Sequence, residues 1–205
     1  LESLTDSLCS SVGSLTNANR IKNLLESVQR VKVDVATVHS YIGYLQNAYL
    51  FEGAKRYDVK GNRYYDSIQK YYAVDVGLRN ARLNFRQQEP THIMENVVYN
   101  ELRCRGYAVD VGVVESRTMK DGKSTFSQHE IDFVITNGRE KAYIQSAYRL
   151  PDVVKREQEL YSLRKTGDSF RKIVIVGDDI ATYTDSQGIQ FMGLFSFLLS
   201  KENFL

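Results

Sequence analysis

Glu130 to Tyr148 reads EIDFVITNGREKAYIQSAY, two β-prone runs around Asn137-Gly138. That dipeptide favours a two-residue hairpin turn. With Asn137 and Gly138 as the turn, Thr136 pairs with Arg139, Asp132 faces Tyr143 and Glu130 faces Gln145. Side chains alternate along a strand, so Glu130, Asp132, Tyr143 and Gln145 share one face while Ile131, Phe133, Ala142 and Ile144 share the other. The second face is core. The first gathers two carboxylates and an amide, with Asp132 and Gln145 as diagonal neighbours at roughly 7 to 8 Å.

Around this hairpin the order of elements indicates an α/β sandwich on a mixed sheet. Pro90 and Thr91 open a helix, HIMENVVYNELRCR, that Gly106 ends. YAVDVGVV follows as a strand, then a polar loop from Glu115 to Gln128. After the hairpin come a helix from about Asp152 to Lys165 stopped by Gly167, a buried strand KIVIVG, a short strand at IQFM and a last helix, LFSFLLS.

Residues 1 to 65 read as three helices and a hairpin. Asn17 or Thr16 caps a helix with Ile21, Leu24, Leu25 and Val28 on its apolar face. After the β-prone VKVDV, a helix from Thr37 to Tyr49 places Val38, Ile42, Leu45 and Tyr49 on one side. Two helices this close suggest a helix-turn-helix, and LFEGAKRYDVKGNRYY after them is a hairpin turning at DVKGN, a wing. In such a unit the second helix faces the DNA major groove and the hairpin tip meets phosphate. The residues so offered are Thr37, His39 and Ser40, with Gln46, on the helix, and Lys55, Arg56, Lys60 and Arg63 on the wing. The helix has no Arg or Lys between Val33 and Glu52, which argues against arginine readout of guanine. Docking of the wing on another domain is the competing use. The expected organisation is a winged helix over 1–65, a packed connector over 66–90 and an α/β domain over 91–205.

Composition sets bounds. The chain has 205 residues, 42% of them hydrophobic, enough for one good core or two small ones. No apolar run is long enough to span a bilayer and no secretory leader opens the chain, so the expected location is cytoplasmic, away from membranes. Cys9 and Cys104 lie too far apart in sequence for a zinc knuckle, and His39, His92 and His129 are scattered. Net charge is only +2, yet eight basic residues stand against three acidic ones between Lys55 and Arg86, an excess that attracts phosphate. The 14 tyrosines fall mostly at core-compatible spacings, which leaves base stacking a minor use.

The order Glu95 on a helix, Asp132 on a strand and Gln145-Ser146-Ala147 on the next is similar to the PD-(D/E)xK nuclease superfamily. The wider wording, QNAYLFEGAKRYDVKGNRYY, KYYAVDVGLRNA, ENVVYNELRCRGYAVDVGVV, EIDFV and YIQSAY followed by Arg156-Glu157, resembles the C-terminal region of bacterial and archaeal AAA ATPases. Those proteins carry a nuclease-like domain of unknown function after a winged helix. The resemblance implies a restriction-endonuclease-like fold and an upstream P-loop ATPase domain, outside this chain, that binds ATP and Mg2+. A G-x-x-x-x-G-K-[ST] pattern is lacking here, and the chain starts with Leu. It also implies a site of Glu95, Asp132 and Gln145 taking Mg2+ through hard oxygen ligands. Here the chain departs from the superfamily: Ala147 stands where the catalytic Lys belongs, and Gln145 replaces a carboxylate. Loss of one transition-state donor costs about 100-fold or more. Lys155 or Arg156 is the candidate replacement cation. Three functions follow: a degenerate, DNA-associated module of the ATPase, a metal-dependent DNA endonuclease, or a protein-interaction platform.

Overall fold

Side-chain caps start four of the helices. In the computed structural model, Asn17 accepts from the Arg20 N–H to begin α2 (Ala18–Gln29), and Asp34 accepts from Thr37 to begin α3 (Val35–Asn47). Asp75 does the same for α4 (Val76–Arg82) and Asp152 for α6 (Val153–Arg164). The remaining helices are α1 (Glu2–Ser10), α5 (Pro90–Cys104) and α7 (Leu194–Leu199). Nine strands accompany these seven helices among the described residues, which are 1–120, 123–150 and 152–205, side chains at 29, 66, 67, 118–120, 123 and 153 excepted. None of the described helices is long and apolar enough to cross a membrane. Removal of the α2 cap in Asn17→Ala is expected to lower stability by about 1 kcal/mol, read from the urea midpoint at unchanged slope.

The chain forms two compact units that interleave in sequence. The first comprises residues 1–55 and 66–100. Its core joins Leu4 and Leu8 of α1, Ile21 and Leu25 of α2, and Val38, Ile42 and Leu45 of α3 with Phe51 and Tyr71. A two-residue strand, β1 (Leu15–Thr16), pairs antiparallel with β3 (Arg63–Ala73), which neighbours β2 (Phe51–Asp58). Helix α3 starts two residues earlier than its apolar spacing predicts, because Asp34 supplies the cap. It also ends sooner: Tyr49 has φ 56° and is 79% exposed, off the apolar side. Leu24 and Val28 are likewise exposed, so of the four expected apolar residues Ile21 and Leu25 are buried, joined by Ala18 at the start of α2. VKVDV forms no strand; Val33 and Val35 instead pack against the core.

The second unit comprises residues 56–65 and 101–205. From the tip of β2 its strand order is β2, β4 (Ala108–Lys120), β5 (Lys123–Asn137), β6 (Glu140–Ala147), β7 (Arg171–Val176), β9 (Ile189–Gly193) and β8 (Tyr183–Thr184). Strands β4, β5 and β6 form an antiparallel meander; β7 runs parallel to β6, and β9 to β7. The tip of β2 lies parallel to β4, with Arg56 opposite Val111. Within the stretch from Glu115 to Gln128, expected as a polar loop, residues 115–120 and 123–128 are instead a paired arm of β4 and β5, with Ser116 opposite Ser127 and Arg117 opposite Phe126. Backbone pairing satisfies its amides, and its polar side chains do not oppose a two-stranded arm.

Two departures from the ideal hairpin govern the sheet. The turn is Gly138-Arg139, one residue later than expected, so Asn137 pairs with Glu140 and Val134 with Tyr143. Gly138 has φ 65°, and glycine at the first of two turn residues is the choice of a II′ turn. The slip moves both strands together, so face parity survives and Asp132 comes level with Gln145. Then a bulge interrupts β5: Asp110 pairs with Val134 but Gly112 with Ile131. Ile131 and Val134 therefore both lie over Gly112, where an added Cβ would sit 2.9 Å from Ile131 Cβ and 2.8 Å from Val134 Cγ2. Alternation breaks at that point, and Glu130 passes to the face opposite Asp132.

Candidate functional site

The bulge aims Asp132 at the neighbouring strand. Its Oδ2 accepts the Ser146 backbone N–H at 2.9 Å, while Gln145 Oε1 accepts the Asp132 N–H at 3.3 Å. Gln145 Nε2 donates to Glu159 Oε2 of α6 at 3.4 Å. Asp132 and Gln145 are 7% and 8% exposed, because α6 covers this face through Leu160 and Leu163, which pack on Val134, Tyr143, Val174 and Phe191. The polar face is thus a sealed layer rather than an open cleft. Ala147 is buried in the same apolar cluster, so an ammonium at that position would have to be desolvated.

The two candidate cations start α6. Lys155 is exposed, and its backbone N–H serves the Asp152 cap. The Arg156 guanidinium lies 4.4 Å from the centre of the Phe191 ring, a cation–π contact that holds it to β9. Glu159 has no counterpart in the sequence-level site; its position one residue before the buried Leu160, on a helix following the hairpin, was the available signal.

Glu95 belongs to the first unit. It is 7% exposed, and its Oε1 accepts from Lys70 Nζ at 2.8 Å and from the Tyr72 hydroxyl at 2.7 Å. Tyr72 in turn stacks on Tyr99 at 4.1 Å between centroids. Among the described residues no group of three or more His, Cys, Asp or Glu side chains is arranged to hold a metal ion. Of the Mg2+ set expected from the sequence, Asp132 Oδ2 and Gln145 Oε1 each accept a backbone N–H.

The wing residues divide. Lys55 is exposed in the first unit. In the second, Arg56 donates to Gln128 at 3.0 Å, Lys60 Nζ to the Glu115 carbonyl at 3.3 Å, and Arg63 pairs with buried Asp58 at 3.2 Å. Arg56 and Arg63 also flank the Tyr65 ring. Nearby, Tyr64 donates to Asp110, and burial together with that carboxylate pushes its phenol up to about 12. Of the other basic residues up to Arg86, Lys70 and Arg79 are buried and Arg82 pairs with Asp6 at 2.6 Å. On α3, Thr37 is half-buried and bonded to Asp34, whereas His39 and Ser40 are exposed.

Residues 1–89 match the model of a domain of unknown function, DUF8612. The chain is also similar to an uncharacterized protein of Haemophilus influenzae, 33% identical over 199 residues that make up 97% of this chain and 46% of the relative. The chain thus spans about half the length of the curated relative it matches. No solved structure matches.

Proposed function

We propose that this chain is a non-catalytic module of a longer protein: a winged helix that associates with duplex DNA, joined to a nuclease-like α/β unit whose catalytic shell is degenerate. The observation that carries the proposal is the Asp132–Gln145 pair, whose oxygens serve strand amides beneath α6, next to an alanine in place of the catalytic lysine. Element order supports both fold assignments. The first unit begins with helix, short strand, two helices and the base of a hairpin, with β1 laid against β3, as a winged helix does, and continues through α4 into α5. The second has an antiparallel meander, a helical crossover and parallel strands, as expected for a restriction-endonuclease-like sandwich. More than half of the Haemophilus relative lies outside the matched region, room for the P-loop ATPase domain that the sequence resemblance implies. ATP and Mg2+ would bind there.

The test offers the chain supercoiled, linear and single-stranded DNA with Mg2+ or Mn2+. Every form is expected to remain intact while duplex DNA binds more weakly as salt rises. Cleavage that disappears in Asp132→Ala would overturn the proposal in favour of a metal-dependent endonuclease. Absence of binding at low salt would overturn the DNA association and leave a protein-interaction platform.

A further inference from the structure

A recognition helix enters the major groove by its N-terminal residues, so phosphates flanking the groove lie beside the turn that precedes it. Here α3 contributes no cation, and the hairpin cations Arg56, Lys60 and Arg63 are taken up within the second unit. The turn between α2 and α3 is different. Together with α2 it forms an open groove of about 620 Å3 lined by Lys22, Glu26, Arg30, Lys32, Val33 and Asp34.

Both acids of the groove are engaged locally. Glu26 pairs with Lys22 at 3.5 Å. Asp34 accepts the Thr37 N–H at 2.6 Å and its hydroxyl at 3.1 Å, bonds that hold its carboxyl below the usual range and spread its charge into the start of α3. Arg30 and Lys32 are exposed and make no ion pair among the described residues. Their backbone is nevertheless fixed. Arg30 closes α2 in the left-handed region at φ 54°, the Val31 N–H returns to the Leu25 carbonyl at 3.2 Å, and Val33 packs on the core. Glycine or asparagine is the usual residue in that conformation, yet an arginine stands there.

We infer that Arg30 and Lys32 form a site for the phosphodiester backbone of duplex DNA beside the N-terminus of α3. This rests on the winged-helix reading and moves the main phosphate contact from the hairpin tip to the α2–α3 turn. Two lost phosphate contacts remove about 1.8 from the slope of log affinity against log salt, at about 0.9 each.

The experiment measures anisotropy of a labelled duplex of about 20 base pairs from about 50 to 200 mM salt, the range over which phosphate contacts are read. The 205-residue chain is compared with Arg30→Asn/Lys32→Gln, Arg30→Lys/Lys32→Arg and Lys60→Gln/Arg63→Gln. Asparagine tolerates the left-handed backbone, so circular dichroism and melting should match wild type. The neutral turn pair is expected to lose the slope increment, the charge-conserving pair to keep it, and the hairpin pair to change it least. A slope unchanged in Arg30→Asn/Lys32→Gln, or lost instead in the hairpin pair, overturns the inference while leaving DNA association in place. Failure of wild type to bind at low salt overturns both. Equal affinity for single-stranded DNA overturns the duplex assignment.

Discussion

Glu95→Ala is expected to destabilise the chain by about 3–5 kcal/mol, the cost of removing one partner of a buried ion pair. Lys70 and Glu95 are 3% and 7% exposed and 2.8 Å apart, and Tyr72 donates to the same carboxylate oxygen. Alanine withdraws the carboxylate from both donors and opens a gap next to Gly13, whose backbone (φ 70°) approaches so closely that an added Cβ would lie 3.2 Å from Glu95 Oε1. Glu95→Gln keeps the shape and one acceptor, so it should fall between wild type and alanine. Urea denaturation measures all three. A midpoint in Glu95→Ala equal to wild type would show that the pair does not hold the first unit together.

Asp132→Ala is the second large effect, about 1–3 kcal/mol, because the buried Ser146 N–H loses its acceptor. Asp132→Asn retains a carbonyl oxygen at that position and should recover most of the loss. This contrast separates a structural carboxylate from a reacting one. A group needed as an ionised metal ligand is lost equally in both variants, whereas a hydrogen-bond acceptor is lost only in alanine. Equal destabilisation by asparagine and alanine would contradict the assignment of Asp132 to the sheet.

Local signals in the sequence located most elements. Asn17 and Asp152 cap where their side chains can reach the first turn, and Gly106 carries the positive φ that ends α5, whereas α6 already stops at Arg164 with Lys165 as its cap, ahead of Gly167. The hairpin was legible too, but not its register. Asn137-Gly138 and Gly138-Arg139 are both acceptable turns by sequence, and the folded sheet adopts the second, with Asn137 opposite Glu140. The bulge left no local mark either, since Gly112 becomes necessary only once Ile131 and Val134 both lie over it. The proximity of Asp132 and Gln145 survived because a slip by one residue on each strand preserves parity; Glu130 did not, because the bulge changes parity once.

The site was less legible than the fold. Spacing brought out the acidic and amide residues but not their partners, since Glu95 with Lys70 and Gln145 with Glu159 meet across distinct elements. The same limit applied to charge. The Lys55–Arg86 run is basic as written, yet Lys70 and Arg79 go inside and Arg63 pairs with Asp58, so a linear count overstated the exposed cation density.

The interleaving of the two units constrains the order in which they can mature on the ribosome. Residues 56–65 leave the exit tunnel in the middle of the first unit yet belong to the second, and Lys70 emerges 25 positions ahead of its carboxylate partner. Neither unit is finished by a nascent chain that stops at residue 89, and neither can be inherited as an uninterrupted cassette.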